Sequence, residues 1–383
     1  MPVKKSTRGQ VPPFMVMDVM REANRLEAAG RDILHLEVGQ PSTAAPAGVL
    51  EAARKAMDID KLGYTEALGI PSLRSRIAKH YLDMYGIALA EDRVVVTTGS
   101  SGGFMLAFLS AFDTGDRVAL ADPGYPAYRN ILESLGIEIV GLPATGDDRY
   151  QPTPALLDAV PGDIDGLIVA SPANPTGTML SDADMKSLTA YCGDRGIRLI
   201  SDEIYHGITY DRPGLSALSH SQSAFVINSF SKYYSMTGWR VGWMIVPEDL
   251  LRSVECLAQN IYISVPALSQ HAALAAFDCT EELDGNVARY AANRDLLLRE
   301  LPRAGLDRFA PADGAFYIYA DVGHLTNDSE VFCRQMLMES GIATAPGTDF
   351  DRDRGRSTIR LSFAGDQETM ACATARLREW IGR

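Results

Sequence analysis

The sequence predicts an α/β protein built on a largely parallel sheet, followed by a smaller α+β unit toward the C-terminus. Three observations carry this. From about residue 90 to 246, short apolar and β-branched runs alternate with helix-length segments, the pattern of a layered α/β domain. After Pro247 the spacing becomes amphipathic and helical, and beyond Pro302 strand-like runs return in a different arrangement. The 383 residues are 46% hydrophobic and 22% charged, ordinary globular proportions in a chain too long for one ordinary core.

The predicted sheet strands are Arg93–Thr97, Arg117–Ala121, Glu138–Leu142, Gly166–Ala170, Arg198–Ser201, Ala224–Asn228 and Val241–Val246. Near-continuous apolar runs of this kind suit strands covered on both faces by helices. Phe104–Phe112, Asp249–Asn260 and Leu268–Phe277 read as helices, and Val287–Leu301 as a long helix hinging the two units. In the last part, Gly314–Val322, Ala343–Pro346 and Ser357–Ala364 read as strands, with Glu330–Ser340 and Gln367–Ile381 as helices.

A net charge of -13 repels nucleic acid and anionic membrane, leaving small molecules or proteins as partners. Five widely spaced cysteines with no C-x-x-C pair predict neither a disulfide framework nor a zinc site, so no metal is expected and a reducing cytoplasm fits. Pro12, Pro13 and Asp18 interrupt the apolar stretch near the start, which does not read as a secretory signal, and no run of apolar residues is long enough to span a membrane.

In an open parallel sheet a ligand sits beyond the carboxyl ends of the strands. Those ends carry unusual chemistry. After the first strand comes T-T-G-S-S-G-G, a turn opening a helix, where Ser100, Ser101 and free backbone N–H groups suit an anion. D-P-G-Y-P-A-Y offers Tyr125 as a flat stacking surface, and S-P-A-N-P-T-G offers the amide of Asn174. L-I-S-D-E-I-Y-H places Asp202 at a strand tip with Tyr205 three residues on. N-S-F-S-K-Y-Y-S-M-T-G-W-R adds Ser229, Ser231 and Arg240 as donors to a dianion around the amine of Lys232. Taken singly, each has an ordinary reading as an N-cap, a turn residue or a core aromatic. Taken together, an amine, a carboxylate, an amide, a phenol, an arginine and a phosphate-type turn at one sheet edge are the set that pyridoxal 5'-phosphate requires.

At these motifs the sequence resembles the class I and II aminotransferases, fold type I pyridoxal phosphate enzymes related to aspartate aminotransferase. S-F-S-K-Y-Y-S-M-T-G-W-R-V-G at 229–242, N-P-T-G at 174–177 and D-E-I-Y at 202–205 carry the likeness in the family's order, and it extends from V-G-Q-P at 38–41 to I-R-L-S-F at 359–363. The resemblance implies a large domain with a seven-stranded, mostly parallel sheet between helices over residues 48–286. It also implies a small domain made from both chain ends, residues 1–47 and 287–383. Lys232 is implied as the Schiff-base lysine, Asp202 as partner of the ring nitrogen, Asn174 and Tyr205 of the ring oxygen, and Tyr125 as the stacked ring. Ser100, Ser101, Ser229, Ser231 and Arg240 would hold the phosphate. Tyr64 would reach the phosphate of a neighbouring subunit, making a homodimer with shared sites.

Arg360 on a small-unit strand is implied as the clamp for the substrate α-carboxylate, with Gly39 opposite; a structural ion pair is its ordinary alternative. The implied activity is ping-pong transfer of an amino group between an L-amino acid and a 2-oxo acid. A carbon–sulfur β-lyase or decarboxylase on the same scaffold is the rival. G-S-S-G-G lacks the G-x-G-x-x-G spacing of a dinucleotide-binding oxidoreductase. G-Q-P-S-T-A-A-P at 39–46 departs from the family's common G-E-P-D, and Phe14–Met17 is apolar, which favours neutral or aromatic substrates. Arg21, Arg25 or a residue from the partner subunit keeps aspartate open.

Overall fold

The computed structural model describes residues 3–382. The chain enters through helix α1 (Met15–Ala28), the short strand β1 (Leu34–His35), α2 (Ala47–Ile59) and α3 (Pro71–Tyr85). The three helices are elements that the alternating pattern from residue 90 onward leaves unassigned. The sheet strands follow: β2 (Val94–Thr97), β3 (Arg117–Asp122), β4 (Glu138–Pro143), β5 (Gly166–Ala170), β6 (Arg198–Asp202), β7 (Phe225–Ser229) and β8 (Gly242–Ile245). They lie in the order β2-β8-β7-β6-β5-β3-β4, and only β8 runs against its neighbours. The carboxyl ends of β2, β3, β5, β6 and β7 therefore share one edge.

Period-2 alternation sorts the strand residues onto two cores. Val94, Val96, Leu167, Val169, Val226 and Trp243 face one helix layer, while Val95, Ile168, Ile200, Phe225, Ile227 and Met244 face the other. Ile200, Phe225 and Ile227 have no exposed surface; burying a side chain of that size contributes roughly 1.5–3 kcal/mol. Both faces are covered, which is why the strands read as unbroken apolar runs.

Helix α4 (Gly99–Ala111) starts five residues before the predicted Phe104. The glycines that lower its propensity serve packing against the sheet: a Cβ on Gly103 would sit 3.2 Å from Ile227 Cγ2. Ser100 and Ser101 consequently lie in the first helical turn.

The rest of the chain forms β9 (Tyr317–Asp321), β10 (Ile342–Ala343), β11 (Ala345–Pro346) and β12 (Thr358–Ser362). The run predicted as one strand at 343–346 is two. β10 pairs in parallel with β1, while β11 joins β12 and β9 in an antiparallel sheet. The β1–β10 pairing ties the N-terminal segment to the C-terminal unit. Helix Thr280–Glu300 is longer at its start than predicted, placing Leu283 in a large-sheet core and Tyr290 and Leu297 in the C-terminal core. Among the described residues no helix is long and apolar enough to cross a membrane, and no cluster of His, Cys, Asp or Glu is placed to hold a metal.

Candidate active site

A cavity of ≈ 210 Å³ opens at the carboxyl edge of the large sheet, between it and the C-terminal unit. Ser100, Ser101, Tyr125, Asn174, Asp202, Tyr205, Ser231, Lys232, Arg240, Gly39 and Arg360 all line it. Two of the residues expected to hold the cofactor phosphate do not. Ser229 is buried behind the wall and donates to Ser231 Oγ at 2.8 Å, so it orients a lining residue. Tyr64 is 84% exposed and outside the cavity of its own chain, so it is not a core aromatic.

Lys232 follows β7 and donates from Nζ to the Gly39 carbonyl at 2.6 Å. Desolvation, with the nearby Arg360 and Arg240 cations, pulls its amine down to about 8, and Asp202 opposes the shift. About one tenth is then neutral and nucleophilic at pH 7, against roughly one part in three thousand for an ordinary lysine. Asp202, at the tip of β6, is pushed up to about 6 by burial, against donation from the Tyr128 hydroxyl and the Ile204 amide. A buried carboxyl so poised is stabilised as an anion by a cationic partner entering the cavity. Glu203, next in sequence, turns away to accept from Ser201, Ser216 and the Ala217 amide.

The anion-binding end is built by close approach. Gly99 has φ +70, and a Cβ there would lie 2.5 Å from Arg240 Nη2, so only glycine admits the guanidinium beside the start of α4. Arg240 itself is left-handed at φ 52, a strained conformation for a non-glycine residue of the kind that clusters at functional sites. Its guanidinium donates to the Thr237 carbonyl at 3.0 Å.

At the other end Arg360 is 2% exposed. It donates to Asn174 Oδ1 at 2.8 Å and to the Glu37 carbonyl, between the rings of Tyr317 and Phe350 at 4.4 and 4.8 Å. Its Nε has no partner, and among the described residues no carboxylate pairs with it. The ion-pair alternative for Arg360 thus fails. A buried, uncompensated guanidinium is costly and is stabilised when a carboxylate arrives in its fork.

The sequence reading passes over two tyrosines here. Tyr128 bonds Asp202, and Tyr317 meets Tyr205 hydroxyl to hydroxyl at 2.6 Å while filling the space where a side chain on residue 39 would lie. Tyr128 stands three residues after Tyr125, one turn along a helix, and that spacing was the available signal. Nothing local marks Tyr317, which is one aromatic in an apolar strand. Phe14, Val16, Met17 and Val38 form an apolar wall. Arg21 and Arg25 pair with Asp18 and Glu22 instead and do not line the cavity.

The arrangement can hold a phosphate-bearing aromatic aldehyde beside a small carboxylate: anion donors at one end, an amine and an acid at the middle, an unpaired arginine at the other. The comparisons with known proteins agree with that chemistry. The family model for aminotransferase class I and II matches residues 31–377. The chain belongs to the class I and II aminotransferases. This aminotransferase is 51% identical to the valine–pyruvate aminotransferase of Mycobacterium tuberculosis, over 98% of its own chain and 97% of the relative. The crystal structure of an aminotransferase from the same organism superposes with a TM-score of 0.98 at 49% identity, covering both chains fully. Aspartate aminotransferase from Thermus thermophilus with maleate gives 0.92 at 28% identity, over 99% of this chain and 100% of the other. The aminotransferase therefore has the fold type I architecture and moves an amino group between an amino acid and a 2-oxo acid.

Proposed function

We propose that the enzyme uses pyridoxal 5'-phosphate and exchanges amino groups between a neutral L-amino acid, valine foremost, and pyruvate or a similar 2-oxo acid. One observation carries this: Arg360 lies buried with no carboxylate partner among the described residues, in the cavity that also contains Lys232 and Asp202. The apolar wall of Phe14, Val16, Met17 and Val38 and the name of the Mycobacterium tuberculosis relative both favour a branched aliphatic side chain. Among the described residues Arg240 and Arg360 are the arginines lining the cavity, and both have other assignments, so aspartate ranks below valine.

When bound, the cofactor supplies an aldehyde to carry the amino group and a ring to spread the charge left by the departing α-proton. Ser100, Ser101, Ser231 and Arg240 bind its phosphate, with Ser229 orienting Ser231. Tyr64 adds a contact from the neighbouring subunit. Asp202 keeps the ring nitrogen protonated, Tyr205 and Asn174 donate to the ring oxygen, and Tyr125 covers the face. Lys232 would be the amine that holds the aldehyde and would move the proton at the substrate α-carbon. Arg360 fixes the substrate carboxylate and so orients the bond that breaks. The two halves of the reaction share one site, which makes the kinetics ping-pong.

A homodimer with shared sites follows from the same reading. Tyr64, Ile59, Met57, Ile261 and Ile263 are all exposed, and Thr65 N donates to Ser264 Oγ at 3.4 Å, so both segments join one surface suited to a second copy. A cytoplasmic location accords with five free cysteines.

The deciding experiment is a panel of amino donors, including valine, alanine, phenylalanine and aspartate, with pyruvate and 2-oxoglutarate, followed at the cofactor's absorption band. Valine with pyruvate should turn over fastest. Release of ammonia or carbon dioxide in place of a new amino acid would sink the proposal.

A further inference from the structure

The apolar wall depends on a contact that its own helix does not supply. α1 begins at Met15, and its N-cap residue is Phe14, whose side chain has no oxygen to accept from the first turn. The acceptor comes from the far end of the chain. The Asp349 carboxylate receives the Met15 amide at 3.2 Å and the Val16 amide at 3.2 Å.

Asp349 is itself held. It is 3% exposed, at the end of a 3-10 turn after β11. Arg129 donates to the Asp349 and Phe350 carbonyls, both at 2.7 Å, and the Gly124 amide donates to the Phe350 carbonyl at 3.0 Å. Phe350 also lies against the Arg360 guanidinium. One short loop therefore touches the start of α1, the carboxylate clamp and the turn that carries Tyr125. Phe14 completes the link with an edge contact to the Tyr125 ring, centroids 5.7 Å apart.

We propose that Asp349 is a positioning residue for substrate selection: by capping α1 it sets Phe14, Val16 and Met17 as the wall against which a branched aliphatic side chain packs. The inference rests on the reading of Arg360 as the substrate clamp. A substrate anchored there reaches the wall only if its side chain extends past Cβ. Valine does and alanine does not. Each buried methylene-sized group is worth about fourfold in binding, so losing the wall should cost valine about tenfold and alanine little.

The test uses the purified full chain and two variants. Asp349→Ala removes the acceptor. Met15→Pro removes one donor and leaves Asp349 in place, and proline is well accepted at the first helical position. Amide hydrogen exchange should rise about tenfold at residues 16–18 in both, against unchanged exchange in the large sheet. With 2-oxoglutarate as acceptor, KM for valine should rise about tenfold while kcat and the alanine constants stay within about twofold. Equal losses for valine and alanine, or faster exchange with the valine preference intact, would overturn the proposal. Failure of the parent enzyme to use either donor would instead overturn the underlying reading of the substrate, and the exchange data would still report on the cap. If Asp349→Ala does not fold, Met15→Pro decides the matter alone.

Discussion

Arg360 donates to Asn174 at 2.8 Å, joining β12 to the loop after β5 across 186 residues. The bond puts the proposed substrate clamp and a proposed cofactor contact in one rigid pair. A carboxylate bound at Arg360 would thereby be set at a defined distance from the cofactor ring that Asn174 is proposed to contact.

Replacing Arg360 by leucine tests the clamp. A charge-assisted fork to a carboxylate is worth about 1.5–3 kcal/mol, so KM should rise about 10- to 100-fold. Amino acid and 2-oxo acid share that carboxylate, and both constants should rise together in steady-state assays. A rise confined to one substrate would count against the role.

Lys232→Ala should abolish borohydride-dependent attachment of pyridoxal phosphate to the chain, read by mass spectrometry, and lower kcat by at least about 10²–10⁴-fold. Labelling that persists at another lysine would refute the assignment.

Burial and the Arg360 and Arg240 cations bring the amine of Lys232 down to about 8, well below the usual lysine range. Only the neutral amine attacks an aldehyde. The rate of aldehyde capture by the cofactor-free protein should therefore climb about tenfold per pH unit up to pH 8 and level off above it. An ordinary exposed lysine would continue rising past pH 10. Stopped-flow absorbance across pH 6–11 distinguishes the two.

Tyr128→Phe removes a donor that favours the Asp202 carboxylate. Burial already holds Asp202 up at about 6, and without the hydroxyl it should rise further. Protonated Asp202 cannot pair with a cationic ring nitrogen, so cofactor affinity falls as pH drops through that value. In the variant the fall should begin at higher pH in spectral titrations, with folding stability reduced by about 1 kcal/mol.

Subunit sharing predicts complementation. Lys232→Ala and Tyr64→Ala chains mixed through a refolding step should form hybrid dimers with one intact site, restoring activity toward about one quarter of the parent. No recovery above the sum of the two variants would place Tyr64 outside the neighbouring site.

Much of this was legible in the chain because the relevant signals are local. Asp202, Ser231 and Lys232 stand just past β-branched runs, and a parallel sheet brings such strand ends to one edge whatever the loops between them do. The start of α4 was not legible, since Gly102 and Gly103 read as a turn until β7 packs against them. Tyr317 and Asp349 were equally hidden: each acts on a partner more than a hundred residues away, and neither lies in a motif that marks it.

The sequence by itself determined the layered α/β class, the strand ends that carry the reactive groups and the kinship with aminotransferases, because periodicity and short-range spacing are properties of neighbouring residues. Only the tertiary structure decided that Arg360 has no carboxylate partner among the described residues, that Tyr128 supports Asp202 and that Asp349 caps α1. Those facts depend on which distant side chains share a desolvated space, and burial with its hydrogen-bond partners is settled only when both ends of the chain close around the sheet edge.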